Sequence, residues 1–148
     1  NMNVDTKDLR KIVVSEINDN DNIKTMVKEE VSTMNEYSKY VENNLDEALK
    51  LHLYFIKEGP YCRDAEKMRE RLNLPFSVFF GGNCEIGILS RLFSINIKIV
   101  NYDNAIINVT EDLFPDTIYI KFNGNHYDIA LPINDRTYLP NNSMNIVI

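Results

Sequence analysis

Thr117-Ile118-Tyr119-Ile120-Lys121-Phe122-Asn123-Gly124-Asn125-His126-Tyr127-Asp128-Ile129-Ala130-Leu131 is the stretch whose reading decides the fold. Ile118, Ile120 and Phe122 recur at every second position, the period of a strand with one face turned inward. The Asn123-Gly124 step suits a tight primed turn, and the apolar run from Tyr127 to Leu131 follows it. Two antiparallel strands joined at Asn123-Gly124 are therefore expected. The same period of two appears earlier in Ile95, Ile97 and Ile99, and Ala105 to Val109 reads as a further short strand.

Upstream of Gly81-Gly82 the period changes to that of a helix. Leu9, Ile12, Val13 and Ile17 form one stripe, with Asp5 or Thr6 available to cap its start. The polar break Asn18-Asp19-Asn20-Asp21-Asn22 suits a turn and the next cap, after which Ile23, Met26, Val27, Val31 and Met34 form a second stripe. Leu45, Ala48, Leu49, His52 and Phe55 give a third helix that stops at Gly59-Pro60. A short charged helix runs from Arg63 to Leu72, with Ala65, Met68 and Leu72 on one side. The apolar strip Phe76 to Phe80 after Pro75 is too short for its period to decide. Ile86, Leu89, Leu92 and Phe93 mark one more helix after the glycine pair. A helical layer followed by a mostly antiparallel sheet is an α+β fold, expected here as a single domain over residues 1–148.

Composition narrows the function. With 148 residues the chain can bury roughly 68–70% of its unfolded surface without disulfide or metal staples. A net charge of −6 argues against a nucleic-acid partner, whose phosphates call for a basic footprint. No apolar run reaches the ~20 residues of a membrane helix. Cys62 and Cys84, the two cysteines, do not make a disulfide framework, which points to a reducing, intracellular and cytoplasmic setting. Two His and two Cys, scattered, give no zinc spacing, and no phosphate-cradling glycine loop is present, so neither metal nor cofactor is expected.

Two segments carry residues suited to chemistry. His126 follows the tight turn, and Asp128, two positions on, shares its strand face, where a carboxylate could orient an imidazole as general base. A hairpin His beside a solvated Asp has the same spacing. Cys84 opens a helix behind Gly81 and Gly82, where the helix dipole favours thiolate and the glycines leave room for a peptide tail. A small thiol packed behind a turn would look the same. His52 is expected as a core residue, and Cys62, without a neighbouring base, as inert.

Taken together these segments resemble the ovarian-tumour (OTU) family of papain-like cysteine proteases, most of them deubiquitinases. Gly81-Gly82-Asn83-Cys84-Glu85-Ile86 with Leu89-Ser90 is similar to the family's Trp-Gly-Gly-x-x-Glu element, with Phe80 where Trp is usual. Ile95 to Val100 resembles the strand that follows it. Asn125-His126-Tyr127-Asp128 resembles the closing Asn-His-Tyr-Asp, and Asp8-Leu9-Arg10-Lys11-Ile12-Val13 the Leu-Arg-x-x-Val helix. The resemblance covers residues 5–132 and leaves 133–148 as a C-terminal extension.

The resemblance implies a papain-type fold, His126 as general base, Asp128 as its orienter, and Gly81, Gly82 and Asn125 beside the substrate. It implies ubiquitin or a ubiquitin-like protein as partner and isopeptide hydrolysis as the activity. The family's Asp-Gly-x-Cys nucleophile has no counterpart in this chain, so the nucleophile is unassigned and Cys84 is its lesser candidate. The expected function is a thiol isopeptidase domain whose nucleophile segment is missing from this chain. The alternatives are a catalytically inactive OTU-like module that binds ubiquitin or another protein, and a Cys84–His126 dyad acting on a small amide or thioester.

Overall fold

The computed structural model describes residues 6–101, 103, 105–108, 113–122, 127–134 and 137–146, with backbone alone at Thr6, 107–108, Phe122 and throughout 127–134 and 137–146. The chain forms two compact units, residues 1–80 and 81–148. The boundary falls at the glycine pair, one helix ahead of the point where the sequence changes period. The fold is α+β. Among the described residues no helix is long and apolar enough to cross a membrane.

The first unit is helical: α1 (Thr6–Asp19), α2 (Asp21–Ser32), a 3-10 turn (Asn35–Tyr37), α3 (Ser38–Val41), α4 (Leu45–Glu58), α5 (Arg63–Arg71) and a second 3-10 turn (Phe76–Phe79). The cap expected from the polar break before α2 is present, and α4 has one that the sequence reading did not include. The side-chain oxygen of Asn20 accepts from the N–H groups of Asn22 and Ile23, and that of Asn44 from Asp46 and Glu47. Asp5, the other expected cap residue, lies outside the described residues.

α4 is the hub, packed against α1, α2, α3, α5 and the second 3-10 turn. Its buried residues Ala48, Leu49, His52, Leu53, Phe55 and Ile56 meet Val13 and Ile17 from α1 and Val27 and Val31 from α2 within one core. Phe55 and Phe79 stand edge to face at 5.4 Å, which explains why Phe76–Phe80 is a tight turn inserting aromatics rather than a strand. Two stripe positions correct the sequence reading: Ile12 and Met26 are 39% and 50% exposed, because the apolar stripe is wider than the face that α4 covers.

Two polar devices fix how the helices meet. Arg10 is buried, and its Nη1 donates to the Ile56 carbonyl at 2.8 Å, so α1 satisfies an otherwise open group in the last turn of α4. Gly59 ends α4 at φ 74° and ψ 175°, a conformation close to glycine-only, and its Cα faces the Arg10 stem. In α5, Glu66 pairs with Arg69, whose Nη1 also donates to the Leu74 carbonyl at 2.8 Å and ties down the chain after the helix. The hydrogen bond from Arg69 holds the Glu66 carboxyl below the usual carboxylate range.

The second unit begins with α6 (Asn83–Phe93) and continues as β1 (Asn96–Val100), β2 (Ile106–Asn108), β3 (Thr117–Phe122), β4 (Tyr127–Asn134) and β5 (Thr137–Ile146). The sheet order is β2-β1-β3-β4-β5. β1 and β3 are parallel; the β1–β2, β3–β4 and β4–β5 pairings are antiparallel. The strict alternation read for β1 is broken. Asn96, Ile97, Ile99 and Val100 are all buried, because β1 is an interior strand whose two faces are both covered. The segment after 132, read as an extension, pairs with β4 as the edge strand β5, where Pro140 is tolerated.

Gly59→Ala is expected to destabilise the chain by about 1–3 kcal/mol in denaturant unfolding, since a Cβ there meets the Arg10 guanidinium stem at 3.0–3.1 Å from a left-handed backbone. Glu66→Gln tests the ion pair. A carboxyl depressed in the fold stabilises it above the ordinary carboxylate pKa, and that contribution is lost as pH falls through the folded value. Melting curves should show the variant lower by under about 1 kcal/mol at neutral pH, with the gap closing in acid.

Candidate active site

The second unit holds the residues singled out for chemistry. α6 starts at Asn83 because Gly82 adopts an extended N-cap conformation and Glu85, three residues on, reaches back to it. The Glu85 carboxylate accepts the Gly82 N–H at 3.0 Å, half of a capping box, at the end of the helix where negative charge is favoured. Glu85 is 1% exposed, so this carboxylate is a buried structural group. Gly81 is buried beside it. Cys84 is the second residue of α6 and half-buried, in the first turn where the helix dipole favours thiolate.

At its other end α6 reverses within two residues. Ser94 takes a left-handed conformation, the Ile95 N–H donates to the Ser90 carbonyl, and the Ser90 hydroxyl donates to the Ile95 carbonyl. α6 then lies against β1.

Register fixes one end of the sheet. Val100 stands opposite Lys121, and Phe122 opposite Tyr127. The ends of β1 and β3 and the start of β4 therefore lie together at one end of the sheet. Asn123, Gly124, Asn125 and His126 lie outside the described residues; the antiparallel pairing of β3 with β4 is the one expected of the strands that flank them. Asp128 is the second residue of β4, opposite Lys121 on one side and Asn145 on the other.

Neither a family model nor any curated protein matches this chain.

The remaining candidates sit in the first unit. His52 is 2% exposed and packs edge-on against Tyr37 at 5.5 Å, a core residue as expected. Cys62 is the half-buried N-cap residue of α5 near Tyr54, whose phenol is pushed up mainly by burial and further by Cys62, Glu58 and Asp64. Grooves of about 380 Å³ near Lys39 and Asn73 and about 330 Å³ near Tyr54 and Met68 include no Cys or His in their linings.

Sequence reasoning passed over two residues that build this region. Glu85 sits three positions after an N-cap glycine, a capping signal visible in the sequence. Asn96 is 2% exposed and its amide is fully engaged. Oδ1 accepts the N–H groups of Leu113 and Phe114, both at 3.1 Å, and Nδ2 donates to the Phe114 carbonyl at 2.7 Å and to Thr117 Oγ1 at 3.2 Å. A polar residue inside a strand pattern reads as solvent-facing, so nothing local marks it.

Glu85→Ala is expected to lower the stability of the second unit by about 1–2 kcal/mol, whereas Glu85→Gln, which keeps an acceptor, should recover much of the loss in the same denaturant titration.

Proposed function

We propose that this chain is an OTU-type module directed at ubiquitin or a ubiquitin-like protein, with His126 as general base and Asp128 as the residue that orients it. One observation carries the reading. The glycine-led helix α6, the strand β1 and the β3–β4 pair whose strands flank Asn125-His126 in sequence occur in the family's order.

In such a site a cysteine thiolate attacks the carbonyl carbon of the terminal glycine of the ubiquitin tail. His126 has taken the thiol proton, and as imidazolium it returns the proton to the departing lysine amine. Water then hydrolyses the thioester with His126 again as base. Asp128, through a hydrogen bond to the other ring nitrogen, would hold the tautomer and stabilise the imidazolium. Gly81, Gly82 and Asn125 would border the tail. The nucleophile of this scheme has no matching segment here, so the chain by itself acts as the binding and base-bearing part of the site.

A second reading is favoured by the place of Cys84. It is half-buried in the first turn of α6 behind the glycine pair, a place that would suit the nucleophile of a Cys84–His126 dyad. One experiment separates the two. The chain is incubated with ubiquitin carrying a C-terminal electrophile, intact mass is recorded with Cys84→Ser as control, and binding of unmodified ubiquitin is followed by titration.

The expected result is binding that survives His126→Ala, without an adduct at Cys84. An adduct abolished by Cys84→Ser would make Cys84 the nucleophile. Neither adduct nor binding would overturn both readings.

A further inference from the structure

We infer that Lys121 is a positioning residue for the proposed base: from the neighbouring strand it holds Asp128 as a carboxylate, ready to orient His126. This inference rests on the reading just given. Lys121 and Asp128 are direct partners in the antiparallel β3–β4 register. Directly opposed residues of such a pair share one face of the sheet and have Cβ atoms about 4.5–5.5 Å apart, and opposite charges placed this way attract.

The sheet is otherwise nearly free of charge. Among the described residues its five strands carry three charged positions, Lys98 on β1, Lys121 on β3 and Asp128 on β4. Register puts all three on one face, since Lys98 stands opposite Tyr119, two residues before Lys121. Asp128 is thus the one acidic position of these strands, between Lys121 on β3 and the uncharged Asn145 on β5. Tyr119 is the titratable neighbour on the same face of β3. Val100, opposite Lys121 on its β1 side, is fully buried, and Lys121 itself is half-buried. A charge so placed is screened less than one on an open surface.

Chemistry gives the pair its use. A cation at this range favours the ionised carboxyl and lowers its pKa. A carboxylate has two oxygens, so an ammonium engaged with one leaves the other to accept from an imidazole N–H. Lys121 thereby restrains the carboxylate and keeps it charged well below the pH range in which His126 gains and loses its proton, as an orienting residue requires.

The test is an NMR pH titration of the full chain that follows the Asp128 carboxyl carbon and the His126 ring in wild type, Lys121→Met, Lys121→Arg and Asp128→Asn. In wild type the Asp128 carboxyl is expected to titrate about one pH unit or more below the ordinary ~3.9. It should return toward that value in Lys121→Met and stay low in Lys121→Arg, which keeps the charge. The His126 ring should titrate lower in Asp128→Asn, which removes its anion. A wild-type Asp128 that titrates at the ordinary value overturns the pairing, whether or not the variants fold, and leaves the OTU reading standing. A His126 ring unmoved by Asp128→Asn overturns the assignment of base and orienter, and the positioning role of Lys121 with it, while the ion pair remains.

Discussion

A primary amide buried among apolar side chains destabilises a fold unless its donors and acceptor are all engaged, and the second unit is organised around one that is. Asn96 opens β1, is 2% exposed, and reaches the chain 17 to 21 residues further on. Its backbone N–H meets the Asp116 carbonyl while its side chain holds Leu113, Phe114 and Thr117. These bonds bring the start of β3 alongside the start of β1, and the parallel pairing of the two strands follows from Asn96↔Thr117 onward. With β3 in register, β4 follows antiparallel, and Tyr127, the residue that follows the proposed base in sequence, stands opposite Phe122 at the far end of β3.

The helical unit uses a comparable device with a charged group. Arg10 carries its guanidinium into the interior and satisfies the Ile56 carbonyl at the end of α4, where the helix dipole welcomes positive charge. Gly59 makes this possible by leaving no side chain in the path of the Arg10 stem. In each unit one buried polar residue joins segments distant in sequence. Apolar packing around α4 and β1 supplies bulk stabilisation without specifying such a join.

Much of the fold was legible because it follows from periods and caps that act locally. The break at Asn20 caps the helix that follows it, and the break at Gly59-Pro60 ends α4. The change of character at Gly81-Gly82 coincides with the boundary between the units. The strip Phe76–Phe80 was not legible, since a short apolar run fits strand or turn until the partner aromatic Phe55 is known. The strand β5 was missed for a related reason: Asn141, Asn142 and Pro140 read as turn residues, and only pairing with β4 makes that stretch a strand. For the candidate site, the sequence supplied the residue types at His126, Asp128 and Cys84, and the register of β3 with β4 supplied the place of Asp128 opposite Lys121.

By itself the sequence determined the α+β class, the order of helices before strands, and the turn signal between β3 and β4, because hydrophobic period, capping and turn chemistry operate over a few residues. Tertiary structure alone decided the parallel pairing of β1 with β3, the burial of Arg10 and Asn96, and the exposure of Leu113. Each of these depends on a partner group many residues away or on the surface left uncovered once the core has closed, and no local pattern encodes either.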